Sequence, residues 1–386
     1  MAVVPTFVVF LALVVVQIGF GGYGVLVKKF AASSKVNPLI FCLIRDACCW
    51  PVLQLCAIVA ERRLNVPRLR EVPLFFVMGF FGVFANQFFY IMGVYYVGAS
   101  ISSVFQPAIP VWTALLAIVT RIEKPPSLRQ FYGWAKLIGI IMAVGGAVNM
   151  LTHKITHPTS SLSSSDITSH SFGSKTVLGI IFLVINTICM AIFLLIQKHY
   201  IFERSKRWAQ YPISVTTWCY LFGALYMGMA SFYYVGKCPR SESCHDNPWN
   251  IPQQAAIPLV YAIFVAAALC YMLLSWSNKH VSPSVVTAFW PVQVLVAVVL
   301  SYFLLDEYMT ILDYVGAAFI IIGLVLVVYS NWYAEKLQKK HRRTEMLRHT
   351  EEDRHLSHSQ SSTSTDDENV DPVTVKLLRS GSFQPH

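Results

Sequence analysis

The amino-acid pattern predicts an all-α integral membrane protein whose ten transmembrane helices form two inverted five-helix repeats. Three observations lead there. Hydrophobic residues make up 55% of the 386 and charged residues only 13%, where a soluble globular chain carries roughly 25% charged residues. The apolar residues gather into ten stretches, each close to the length of about 20 residues that a helix needs to cross the hydrocarbon core. The second half of the chain then repeats the first in the order of its distinctive residues.

The first stretch, 6–27, exceeds the apolar core of a signal peptide. It has no basic segment before it and no clear cleavage site after it, so it is expected to stay as a helix. The second, 38–60, carries Arg45 and Asp46. The third and fourth, 72–94 and 98–120, nearly abut; they hold Asn86 and Gln87, then Gln106 and Pro107. The fifth, 131–151, carries Lys136 one turn in, Asn149 near its end and the glycines Gly139, Gly145 and Gly146. Asn186 marks the sixth, 176–197, and 212–235 forms the seventh. The eighth and ninth, 256–276 and 283–305, also nearly abut, and the ninth holds Trp290, Pro291 and Gln293. The tenth is 311–332.

Orientation follows from Lys and Arg in the loops, which favour the cytoplasmic side. With the N-terminus inside, the inner loops hold Arg62, Arg63, Arg68, Arg70, Arg121, Lys124, Arg129, Lys198, Arg204, Lys206, Arg207 and Lys279. The outer loops hold Lys28, Lys29, Lys35, Lys154, Lys175, Lys237 and Arg240. Both termini are therefore expected in the cytoplasm, on a plasma membrane or an endomembrane such as the vacuole. The net charge of +10 comes from these loops, because the charges of the tail after residue 334 cancel. That placement argues against a nucleic-acid surface.

A gapless shift of 184 residues lays Ser100 on Ser284, Pro107 on Pro291, Glu123 on Glu307 and Gly139 on Gly323. Five spans is an odd number, so the second copy enters the membrane the other way up. Inverted repeats of this kind place a solute site near the midplane, between the halves. The expected organisation is a repeat over 1–151, a Ser/His-rich linker over 152–175, a second repeat over 176–335 and a disordered cytoplasmic tail over 336–386.

An ionisable residue inside a span is costly and seldom accidental. Arg45 either attracts an anionic solute or pairs with Asp46 or a carbonyl; Lys136 sits near enough to the interface to reach it. The neutral candidates for the solute site are Gln17 and Tyr23 on the first span, Asn86 and Gln87, Gln106, Asn186, and Trp290 with Gln293. Amides both donate and accept, which suits a zwitterion or a carboxylate. Their alternative role is interhelical hydrogen bonding, about 0.6 kcal/mol each on average. Pro107 and Pro291 each remove a backbone donor in mid-helix and free a carbonyl, which marks them as candidate hinges for gating.

Seven cysteines lie in apolar runs and read as small hydrophobes. Cys238 and Cys244 share a polar loop on the outer side, where a disulfide between them is open. No metal or cofactor motif is present, nor a phosphate loop or nucleophile elbow, so the chain is not expected to be an enzyme or to carry a cofactor. The expected partners are a small-molecule solute and membrane lipid, with a homodimer left open.

Several short motifs, in order, resemble a known family. They are Asn86-Gln87-Phe88-Phe89-Tyr90, Ser103 to Gln106 with Pro110, and Arg121-Ile122-Glu123-Lys124. In the second half they are Ser214-Val215-Thr216 and Pro291-Val292-Gln293 with the apolar run to Glu307. Together with Ile44-Arg45, where a Tyr-Arg pair is usual, they resemble the plant walls-are-thin-related transporters. These are EamA-type members of the drug/metabolite transporter superfamily. The resemblance covers roughly residues 6–335 and implies ten helices, cytoplasmic termini and movement of amino acids, auxin or related metabolites by alternating access. Asp46-Ala47-Cys48-Cys49-Trp50 departs from the pattern, as does Trp290 where glutamine is common. A nucleotide-sugar or phosphate antiporter of the same superfamily should show more basic residues at its cavity than Arg45 and Lys136. A receptor or scaffold has no need of inverted halves.

Overall fold

The computed structural model describes residues 5–27, 29, 36–63, 65–122, 131–156, 174–237, 249, 251–305, 311–312, 314–330, 333, 336, 337 and 344. The chain divides into two compact units, Met1–Asn331 and Trp332–His386. Among the described residues every regular element is helical.

Seven helices are long and apolar enough to cross a membrane: α1 Thr6–Leu26, α2 Pro38–Glu61, α3 Val72–Tyr96, α6 Val177–Glu203, α7 Pro212–Tyr234, α8 Gln253–His280 and α9 Pro283–Leu304. Three shorter apolar helices accompany them, α4 Gln106–Val119, α5 Gly133–Gly146 and α10 Tyr314–Ser330. Their starts follow local chemistry. Asn37 caps α2, its side chain accepting from the Leu39 N–H at 3.0 Å, and Pro38 occupies the first turn, where its missing N–H costs nothing. Prolines likewise open α7 and α9.

The helical hydrogen-bond pattern runs unbroken from Asn86 to Phe105, which hides the boundary between α3 and α4. The chain nevertheless reverses there. Asn86 and Gln106 both bond Asn186, at 2.6 and 2.9 Å, whereas a straight helix would hold them about 30 Å apart.

Large apolar side chains point outward over the whole bundle, among them Phe7, Leu11, Leu55, Val59, Phe131, Ile141, Phe232 and Val325. A monomeric soluble protein does not tolerate such an apolar exterior; a lipid-facing one requires it. The interior is close-packed, with one cluster joining Leu13 of α1, Leu53 of α2, Met78 of α3, Leu194 of α6, Tyr220 of α7, Leu274 of α8 and Phe289 of α9.

The helix contacts come in matched sets. α1 packs on α8 and α9, while α6 packs on α3 and α4. α2 packs on α8, while α7 packs on α3; α2 and α7 also pack on each other. α5 and α10 cross at glycines: a Cβ on Gly139 would lie 2.6 Å from the Gly323 carbonyl, and one on Gly323 would lie 2.5 Å from the Gly139 carbonyl. Gly146 meets the Gly316 carbonyl in the same way, at 2.6 Å. Only residues without a side chain permit helices to touch backbone to backbone.

Regular α-geometry fails in α6, at a π-helical Gln197–Glu203, and at two pairs of corresponding places. A π-helical segment occupies Phe80–Ala85 in α3 and another Ala262–Leu269 in α8. A 3-10 turn at Gln106–Ala108 opens α4, and the helix breaks at Phe289, between Pro283–Ala288 and Trp290–Leu305. Both breaks border the expected hinge prolines, Pro107 and Pro291, and both prolines are buried.

Candidate functional site

The sequence places Arg45 and Asp46 side by side in α2, and the fold buries both, Arg45 7% exposed and Asp46 fully enclosed. Arg45 directs Nε and Nη2 at one oxygen, Asp46 Oδ1, each at 2.9 Å. The second carboxylate oxygen, Oδ2, has no hydrogen-bond partner. An ion pair taken out of water is costly where its remaining polar atoms lack hydrogen bonds, and the groups around this one are polar but uncharged. Tyr23 of α1, Cys42 of α2 and Tyr220 of α7 lie within electrostatic range of Arg45, and Tyr271 of α8 lies within range of the pair. The Gln87 amide of α3 approaches the carboxylate without reaching hydrogen-bond geometry, so that both its atoms are buried and unpartnered.

Rings extend this centre. Tyr220 and Tyr271 meet edge to face at 5.2 Å, Tyr271 meets Phe20 at 5.8 Å, and Phe20 lies 6.4 Å from Trp290. Edge-to-face contacts hold ring orientation more firmly than apolar packing alone. The Tyr271 hydroxyl also points at the Gly82 carbonyl, 3.5 Å away within the π-helical segment of α3. Trp290 thus joins the ion pair through two intervening rings. Gln17, one turn before Phe20 on α1, is fully buried with neither amide atom partnered. Gln293 is half-buried, and its carbonyl lies against Gly21.

The other amides form a separate group. Gln106 donates to Asn186 Oδ1 at 2.9 Å, Asn186 donates to the Asn86 carbonyl at 2.6 Å, and Asn86 donates back to the Asn186 carbonyl at 3.2 Å. These three residues fasten α3, α4 and α6 together. Asn149 reaches the Leu312 carbonyl at 3.5 Å. Cys238 and Cys244 lie outside the described residues.

A polar network at one end of the bundle was not foreseen as a unit. Glu61, at the end of α2, accepts from the N–H groups of Ile213 at 2.8 Å and Ser214 at 3.3 Å, and from the Ser214 hydroxyl. It caps α7 from another helix, where the dipole favours a negative charge. Arg207 bonds Glu71 at 2.9 Å and the Val66 carbonyl at 2.8 Å, and Trp218 donates to the Asn65 carbonyl at 2.7 Å. Lys198 caps the C-terminus of α8 through three carbonyls, those of Asn278, Lys279 and Val281, at 3.1 Å each. Beside it Gln197 donates to the Ser275 hydroxyl at 3.1 Å and accepts from Asn278 at 2.8 Å. Single polar residues at helix ends look like ordinary caps in a sequence; their convergence is visible only in three dimensions.

The residues of the polar centre are buried, and aromatic side chains from α1, α7, α8 and α9 pack about it. An apolar hollow of about 370 Å³ lies elsewhere, lined by Leu55, Cys56, Val59, Ala60, Ile213 and Met272.

The profile of the EamA-like transporter family matches residues 6–152 and again 177–329. The chain belongs to the EamA-like transporter family. It is thus a multi-pass integral membrane protein, and the relatives it resembles carry the walls-are-thin name. It is 26% identical to the WAT1-related protein At1g11460 of Arabidopsis thaliana, over 83% of this chain and 93% of that one. Protein WALLS ARE THIN 1 of the same plant is 26% identical, with 83% and 82% covered. WAT1-related protein At4g30420 aligns at 24% identity over 97% of this chain and 99% of its own. A crystal structure of a protein 12% identical in sequence superposes with a TM-score of 0.62, covering 84% of this chain and 98% of the other. At that identity the likeness speaks for the fold alone. Within this EamA-like chain, Tyr220 and Tyr271 are centre residues that the sequence did not disclose. Each is one of many tyrosines in an apolar run, and only packing brings them to Arg45.

Proposed function

We propose that the protein is a secondary carrier or facilitator of small organic solutes, amino acids or auxin-like acids, working by alternating access. Its halves, 1–151 and 176–335, are five-span units of opposite orientation joined by the 152–175 linker, with 336–386 as a cytoplasmic tail. The observation that carries the reading is the composition of the polar centre. Tyr23, Arg45, Asp46 and Gln87 come from the first half, Tyr220 and Tyr271 from the second. A group held by both halves is one that both must release when they rock apart.

Three further observations support inverted halves. The family profile matches twice, with an interval between. The largest helix contacts have counterparts when α1 is exchanged with α6, α2 with α7, α3 with α8 and α4 with α9. Gly139 and Gly323, equivalent under the 184-residue shift, touch each other reciprocally, as residues on a pseudo-two-fold axis must. The basic loops around residues 61–71, 198–214 and 279–281 share one end of the bundle, which supports that end as cytoplasmic and the termini with it. Bonds there between the halves, Glu61 with α7 and Arg207 with Glu71, support reading this conformation as closed on the inside.

Gln17, Tyr23, Arg45, Asn86, Gln87, Gln106, Asn186, Trp290 and Gln293 are the proposed solute residues, in two roles. Tyr23, Arg45 and Gln87 meet the solute, with Gln17 and Trp290 flanking them; the bonded set Asn86, Gln106 and Asn186 holds the helices that carry Pro107. Counterflow in proteoliposomes, across amino acids, indole acids and nucleotide sugars, tests the assignment. Gln87→Ala is expected to raise the half-saturation concentration about tenfold, the worth of roughly one buried hydrogen bond, without loss of folded protein. Gln106→Ala is expected to lower the folded yield more than it changes the half-saturation value. Exchange of no solute at all by the wild-type protein sinks the carrier reading.

A further inference from the structure

Beside the Arg45–Asp46 pair the fold leaves a specific set of buried polar atoms unpartnered: Asp46 Oδ2, both amide atoms of Gln87 and the Tyr220 hydroxyl. Each belongs to a residue more than nine-tenths buried. Unpaired polar atoms in a packed interior are costly, and three helices converge here to supply them. The set holds one charged acceptor and at least two neutral donors. The groups facing the ion pair are otherwise uncharged phenols, thiol and amide.

We infer that Asp46 is a specificity-determining residue: it cancels the Arg45 charge, so the centre selects solutes whose own charges balance. The reasoning is electrostatic and rests on the carrier reading. Arg45 alone, in a low-dielectric interior, would draw in any carboxylate. With Asp46 Oδ1 held at 2.9 Å from both Nε and Nη2, an incoming anion meets nearly equal attraction and repulsion and still loses its hydration. A solute bearing an ammonium as well as a carboxylate fares better. Its N–H groups reach the vacant lone pairs of Asp46 Oδ2, and its carboxylate accepts from Gln87 Nε2 and the Tyr220 hydroxyl. Removing the negative charge of Asp46 unmasks Arg45 and reverses the preference.

Matched solutes isolate the charge. Phenylalanine against 3-phenylpropanoate, leucine against 4-methylpentanoate and alanine against propanoate differ by the amine alone. The experiment measures counterflow of each pair by the full chain in proteoliposomes, at one pH and salt concentration. Wild type is expected to prefer the amine-bearing member by about tenfold or more in the pairs it accepts. Asp46→Asn is expected to invert that ratio in the same pairs. Equal use of both members by wild type overturns the inference and leaves the carrier reading standing, as does a ratio unmoved in an active Asp46→Asn protein. If Asp46→Asn does not fold, the wild-type ratio decides alone. Exchange of neither member of any pair, nor of any other solute, defeats the carrier reading itself.

Discussion

Arg62 closes α2 with φ 53°, in the left-handed region that favours glycine, because the chain must turn sharply to bring Asn65 and Glu71 under α7. A side chain there costs about 1 kcal/mol. Arg62→Gly is therefore expected to raise the melting temperature of the detergent-solubilised protein, and an unchanged or lower value would show that the arginine has a compensating contact. Glu71, outside the spans, titrates below the ordinary glutamate range. Burial alone would raise it, but the Arg68 N–H and the charges of Arg207 and Arg68 hold the carboxylate ionised. Its stabilisation is complete above the ordinary value, about pH 4.3, and is lost as pH falls through the lower folded value. Stability measured by thermal melting should thus decline below about pH 4 in wild type, and Glu71→Gln should flatten that part of the profile.

The helices show where a sequence stops informing. Ten apolar stretches and their polar punctuation were legible, as were the paired prolines, because hydrophobic run length and missing N–H groups are local properties. The π-helical segments at Phe80–Ala85 and Ala262–Leu269 were not, since one residue inserted into a turn, with i→i+5 bonding, leaves no compositional trace in an apolar run. Each segment ends two residues before a residue of the centre, Gln87 in α3 and Tyr271 in α8. Deleting Ala268 removes the extra residue and turns the end of α8 by about 100° relative to its start. The deletion is expected to abolish counterflow while the protein still inserts, as judged by its yield in membranes. Normal exchange would mean that the segment does not aim Tyr271.

At the scale of the molecule, two sets of contacts join distant segments. The glycine crossing joins α5 to α10 backbone to backbone, and the Glu61–Ser214 and Glu71–Arg207 contacts tie the first family-matched segment to the second at one end of the bundle. Gly146→Leu would drive a side chain into the Gly316 carbonyl, 2.6 Å from where its Cβ must lie. A cost of about 1–3 kcal/mol is expected, read as a lower melting temperature and folded yield. If alternating access operates, a disulfide between Glu61→Cys and Ser214→Cys should arrest exchange under oxidation and release it on reduction. Exchange that continues in the fully cross-linked protein would separate transport from this gate.

By itself the sequence determined that the chain lives in lipid, roughly which segments form its apolar helices, and which few polar residues enter them. Those follow from the cost of exposing apolar surface to water and polar groups to hydrocarbon, a cost each segment bears alone. Only the tertiary structure decided which polar residues share a centre. It sorted Arg45, Asp46, Gln87, Tyr23, Tyr220 and Tyr271 into one cluster and Asn86, Gln106 and Asn186 into another. Hydrogen bonds and charges act over a few ångströms, and residues more than two hundred positions apart come within that distance only when the helices have packed.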